Sequence, residues 1–180
     1  MSLYLYEIVP SAERRDDGEQ VIAEFDAETR KAGGELIETQ VTSGRERIFA
    51  VAEFDGCDAP EIAADALRAA AIEGPSQVRL VGADLDQIKA ARPEAGYLVE
   101  WDIPAEIDMD TYLARKKEKS PLYANVPEVS FLRTYVREDM AKCLCFYDAP
   151  DEAAVLRARE AVSTPVDRVH ELDHQSVASK

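Results

Sequence analysis

The sequence predicts an α+β fold built from two similar halves, and three observations predict it. "YLYEIVP" (Tyr4 to Pro10) is answered by "YLVEWDIP" (Tyr97 to Pro104). "ETQVTSGRERIFAVAEFD" (Glu38 to Asp55) lines up with "RTYVREDMAKCLCFYD" (Arg133 to Asp148), and "ALRAAAIEGPSQVRLVGAD" (Ala66 to Asp84) with "VLRAREAVSTPVDRVHELD" (Val155 to Asp173). The matches recur in one order at an offset of about 90 residues, the signature of an internal duplication.

Each half reads in the same way. A short strand ends at a proline. A helix follows, over about 18–32 in the first half and about 108–123 in the second. Two strands come next, joined by the tight turns "TSGRER" (Thr42 to Arg47) and "REDMAK" (Arg137 to Lys142). A second helix is expected, opened by Asp58 with Pro60 just inside it, or by Asp151. A last strand closes each half: "SQVRLV" (Ser76 to Val81) or "VDRVHEL" (Val166 to Leu172).

The order βαββαβ is that of the ferredoxin-like split unit. Its helices cover one sheet face and leave the other bare, which must then be covered. Two copies packed sheet to sheet solve that problem, so the expectation is a fused pseudo-dimer of the dimeric α/β-barrel type. The domains are read as unit 1 at 1–84, a linker at 85–96, unit 2 at 97–174 and a tail at 175–180. The linker is expected to hold a short helix ended at Pro93.

Composition bounds the function. The net charge of −15, from 36 acids against 21 bases, argues against nucleic acid and anionic membranes as partners. No run is long and apolar enough to span a bilayer, and "MSLYLYEIVP" lacks the basic flank of a secretory signal, so a cytoplasmic location is expected. Cys57, Cys143 and Cys145 are an odd set and do not suggest a disulfide framework. "ARKKEKS" (Ala114 to Ser120) is the one basic cluster and reads as a solvated helix face. No phosphate loop, and hence no nucleotide cofactor, is evident.

Strand alternation nominates the candidate residues. Glu7 and Glu100 occupy matching places in the first strand of each half, amid apolar neighbours. A buried Glu needs a partner, and Arg79 or Arg168, also at matching places, would supply one; alternatively the carboxylate faces a ligand. Cys143 and Cys145 share a strand face, as core residues or as two thiolates for a soft ion. His170 is read as lining an inter-sheet cavity, and His170 with His174 as a weak helical pair.

The second half also resembles a known family. The residues that carry the resemblance are Tyr97, Val99, Glu100, Ile103 and Pro104; Ser130, Tyr135, Val136 and Asp139; and Cys145, Tyr147, Ala149, Pro150, Glu152 and Ala153. They resemble a small ferredoxin-like family long catalogued as a domain of unknown function, which has a nickel-binding, nickel-responsive bacterial member. The resemblance implies that single-domain members pair as dimers, that this chain is a fused dimer, and that a divalent metal, nickel by family, is its cofactor. In the first half Glu7 and Pro10 persist, but Ala52 stands where Cys145 does.

Two functions follow as expectations. One is a cytoplasmic accessory protein that binds a divalent metal or small ligand between its sheets. Glu7, Glu100, Tyr135 and Arg168 are its ligand-binding candidates, and His170, Cys145 and Glu100 its metal candidates. It would be a monomer with an internal pseudo-two-fold, or a homodimer of such chains. The other is a small enzyme of the monooxygenase, isomerase or decarboxylase kind, with Glu100 or His170 as general acid or base. A structural or assembly module is the third alternative.

Overall fold

The computed structural model describes residues 1–56, 58–91 and 95–173; Cys57, Pro93 and His174 lie outside them. The chain forms two compact units. One holds 1–78 with the described parts of 85–94 and 172–180, and the other holds 79–84 and 95–171.

In the first unit β1 (Ser2–Pro10) leads through a 3₁₀ turn into α1 (Gly18–Lys31), then β2 (Glu35–Val41), β3 (Ile48–Phe54) and β4 (Ala69–Val81). Residues 79–81 of β4 belong to the second unit. The sheet order is β2-β3-β1-β4, with every pair antiparallel. Alternation in β1 sends Tyr4, Tyr6 and Ile8 toward α1, which answers with Val21, Ile22 and Phe25 from one helical stripe. Tyr6 and Phe25 meet edge to face at 5.1 Å. The short helix α2 (Leu85–Ala91) closes the unit; it buries Ile88, and its Lys89 bridges Glu35 and Glu53.

The second unit repeats the plan: β5 (Tyr97–Asp102), α3 (Met109–Lys119), β6 (Ser130–Arg137), β7 (Lys142–Asp148), α4 (Glu152–Ala161) and β8 (Arg168–Glu171). The sheet order β6-β7-β5-β8 is again antiparallel. Asp108 and Asp151 cap α3 and α4 by accepting from the backbone N–H of Thr111 and Ala154, each at 2.8 Å. The last turn of the predicted first helix is 3₁₀, over Ser120–Asn125, because Pro121 cannot donate to the α-ladder.

Small irregularities recur in both units. The strand after the first helix carries a register shift between Leu36 and Glu38, and again between Phe131 and Arg133. Each hairpin turn holds one non-glycine residue in the left-handed region, Arg45 at φ 57° and Met140 at φ 59°. In the first turn it is Arg45, and not the neighbouring Gly44, that adopts this conformation.

One predicted element is absent. No helix opens at Asp58, and residues 58–63 run without regular structure into a 3₁₀ turn at Ala64–Leu67. Arg68 then takes a left-handed φ of 47°, and Ala69, Ala71 and Ile72 pair with Pro10, Val9 and Ile8 of β1. Pairing along β1 overrides the helical propensity of the alanines. Leu67, fully buried, packs where a helix would have, held by Arg14 donating to its carbonyl at 2.5 Å. Tyr6 Oη donates to Pro60 O at 2.8 Å and pins the irregular segment.

The long β4 crosses β1 with a bulge opposite Tyr6. There Gly74 sits at φ 112°, and a Cβ would lie 2.5 Å from the Leu5 carbonyl oxygen. Gly74→Ala is expected to lower stability by about 2 kcal/mol, from backbone strain and overlap with a strand that cannot retreat. Urea unfolding of the variant beside the parent measures it, and an unchanged midpoint would contradict this reading. No helix among the described residues is long and apolar enough to cross a membrane.

Candidate functional site

Glu100 is fully buried in the middle of β5. Cross-strand neighbours share a face, so the register places it beside Leu144 on β7 and Arg168 on β8, with Tyr135 beyond Leu144. His170 stands opposite Leu98, two residues along the same face. The carboxylate is fully engaged there. Lys142 Nζ donates to Oε1 at 2.8 Å; Arg168 Nε and His170 Nε2 donate to Oε2 at 2.9 and 2.7 Å. Arg168 also grips Asp102. Burial alone would raise the Glu100 carboxyl, but the hydrogen bonds from His170, Lys142 and Arg168 outweigh it and hold the group well below the usual carboxylate range.

Arg168 is thus the partner expected for Glu100, whereas Arg79 pairs with Glu138. Glu7, buried at 4% exposure, stands in register with Phe49 and Glu73 in the first unit.

The structure separates Cys145 from the other metal candidates. Cys145 is opposite Val99 and Thr134, so it faces α3 and α4, while Glu100 and His170 point to the other side of the same sheet. The grouping of His170, Cys145 and Glu100 around one ion is corrected accordingly. Nickel in nitrogen-rich sites wants several imidazoles. The one described histidine is bonded to Glu100, beside Lys142 and Arg168, and an added cation would meet two positive charges. Among the described residues no group of three or more His, Cys, Asp or Glu is disposed to hold a metal ion. The residues on this face do not fit nickel.

The helix-facing side holds a cluster that the sequence reading missed. Arg159, 3% exposed, enters the core from α4. Its Nη1 lies 3.5 Å from Cys145 Sγ and 3.2 Å from Tyr147 Oη, and its Nη2 donates to Pro165 O at 2.6 Å. Tyr147 and Tyr123 share a hydroxyl contact of 2.7 Å. Cys143 and Cys145 have their sulfurs 3.9 Å apart. A hydrogen bond from Cys143, then the charges of Arg159 and Lys116, hold the Cys145 thiol well below its ordinary value against the opposing effect of burial. The same bond pushes the Cys143 thiol up.

Outside this cluster lies a shallow cleft, partly open to solvent, walled by α3, the turn after it and the end of α4. Trp101, Tyr112, Tyr123 and Val162 form its apolar wall; Arg115, Lys116, Lys119 and Arg159 supply its charge, and among the described residues no acid lines it. The basic cluster read as a solvated face therefore divides. Lys117 is exposed, while Arg115, Lys116 and Lys119 turn inward. The signal was present in the spacing: Tyr112, Arg115, Lys116 and Lys119 fall at i, i+3, i+4 and i+7, one helical stripe.

Residues 97–172 match the family described as nickel-responsive protein, SCO4226-like. The crystal structure of SCO4226 from Streptomyces coelicolor A3(2) is similar at 18% identity, over 43% of this chain and 94% of that one, with a TM-score of 0.38. Several other structures span nearly the whole chain, two of them as follows. One is a candidate chlorite dismutase, TA0507, at 12% identity over 96% of each chain and a TM-score of 0.54. The other is a candidate monooxygenase from Lactobacillus acidophilus NCFM, at 11% identity over 96% of this chain and 94% of that one, with a TM-score of 0.52. These two likenesses are of fold, and they bear out the α+β class that the sequence predicts. No curated protein matches the chain.

Proposed function

With its second unit matched by the nickel-responsive SCO4226-like family, we propose that this chain is an accessory binding protein that holds a small ligand in the cleft beside α3 and α4. The observation that carries the reading is the cleft itself: an apolar wall with convergent polar groups, one of them a buried arginine, the usual make-up of a ligand site. The state of Glu100 supports binding over catalysis. A general acid or base needs a pKa near the working pH and a free proton-accepting oxygen; both oxygens of Glu100 are engaged and its pKa moves the opposite way.

Thermal denaturation of the full chain against a panel of cationic, neutral and anionic metabolites tests this. At least one compound is expected to raise Tm, since a ligand at a hundred times its Kd adds about 2.7 kcal/mol. Thr164→Trp, on the cleft wall, is expected to abolish that rise, and nickel chloride is expected to give no one-to-one stabilisation. A panel without a single shift, or a shift that Thr164→Trp leaves intact, would overturn the reading.

A further inference from the structure

The geometry points to a small organic oxyanion, with a carboxylate or phosphate headgroup, as the occupant of the α3–α4 cleft, gripped by Arg115, Lys116, Lys119 and Arg159. This rests on the reading of that cleft as the ligand site and names what it takes.

Charge is the first reason. The chain carries 36 acids and 21 bases, so carboxylates are plentiful. Elsewhere the described pairs are close: Arg14 with Asp17 and Glu24, Lys89 with Glu35 and Glu53, Arg157 with Glu128. Yet four cations converge on this cleft, and no ion pair with a carboxylate engages any of them among the described residues. Lys116 instead lies over the Phe131 ring at 4.0 Å, and Arg115 over Trp101 at 5.7 Å. Positive groups held on aromatic faces and half removed from water repel one another until an anion joins them.

Unanswered donors are the second reason, and they are independent of the first. The Nε–H groups of Arg115 and Arg159 are both buried and have no hydrogen-bond partner. Arg115 Nη2 donates to Ser163 O at 2.5 Å, and the Nη groups of Arg159 are directed at Cys145, Tyr147 and Pro165. Both buried Nε–H groups belong to arginines that line one cleft, and an oxyanion offers a guanidinium edge several acceptors in one plane. The aromatic wall of Trp101, Tyr112 and Tyr123 stands beside the cations and suits an unsaturated body.

A second cleft, in the first unit, shows the contrast. Arg15, Asp16, Asp17, Glu19, Arg45 and Asp173 line it in mixed sign, and Arg45 there pairs with both Asp16 and Asp173. Its charges answer one another.

Calorimetric titration of the full chain with benzoate, phenyl phosphate and benzamide tests the assignment, since the three share a ring and differ in charge. At least one of the two anions is expected to bind about tenfold or more tightly than benzamide, and which of them binds better identifies the headgroup. Added sodium chloride is expected to weaken it. Lys116→Gln and Lys119→Gln, at half-exposed helix positions that leave the core intact, are each expected to weaken the anion severalfold and leave benzamide unchanged. Equal affinity for the charged and uncharged compounds, or anion binding untouched by both lysine variants, would overturn the oxyanion assignment. If a neutral compound raises Tm and Thr164→Trp abolishes it while no anion binds, the binding-protein reading stands and this inference falls. If nothing of any charge binds, both fall.

Discussion

Glu100→Ala is expected to destabilise the protein by about 3–5 kcal/mol. The carboxylate is fully buried and accepts from Lys142, Arg168 and His170. Its removal leaves Lys142, itself 9% exposed, and the imidazole of His170 facing a void. Breaking one side of a buried charge cluster costs more than the cluster is worth against an apolar replacement. The double variant Glu100→Met with Lys142→Met is therefore expected to recover part of the loss. The effect has a definite pH signature. The folded carboxyl lies below its unfolded value of about 4.3, so its contribution is complete above about pH 5 and fades as pH falls toward the depressed folded value. The stability gap between parent and Glu100→Ala should accordingly shrink with acid. Urea unfolding at pH 7 and at pH 3.5 measures it; a gap under about 1 kcal/mol at neutrality, or one that widens in acid, would contradict the cluster's role.

Phe25→Ala is the second large effect, at about 4 kcal/mol, and it probes the first unit. Phe25 is fully buried, stacks edge to face on Tyr6, and joins Ile8, Ile48 and Leu67 in one core. Truncation removes its transfer energy and opens a cavity that the surrounding strands cannot close. Tyr6 also anchors residues 58–67 through Pro60, so the irregular segment should gain hydrogen-exchange lability along with the global loss. Leu156→Ala is the control: that side chain is 43% exposed and should cost no more than about 0.5 kcal/mol. Similar losses in the two variants would mean that Phe25 is not a core residue.

The sequence was readable wherever the deciding signal is local. The helix at Gly18–Lys31, the cap at Asp151, the hairpins at 42–47 and 137–142 and the short helix at 85–91 all follow from spacing and turn chemistry. Ala64–Ala71 defeated the same method. Its composition is helical, and the equivalent stretch around Leu156 is a helix, but here β1 claims Ala69–Ala71 as a pairing partner, a contact some sixty residues away in the chain.

The candidate site was half readable for a similar reason. Alternation correctly set Cys143 and Cys145 on one face of their strand. It carries no information on how two strands align. The register Val99 to Cys145 decides that the thiols and Glu100 face opposite ways, and only the folded sheet reveals it. Arg159 was invisible because an arginine in an amphipathic helix ordinarily reaches solvent. Nothing in "VLRAREAV" marks it as the one that turns inward.

Trp101 is the chain's one tryptophan. It stacks on Tyr112 at 6.1 Å with the Arg115 guanidinium over its face, on the cleft wall. Indole emission excited beyond the tyrosine band therefore reports on the second unit alone. A guest that draws Arg115 off the ring alters the glow without any dye attached, so the molecule carries its own optical gauge of occupancy.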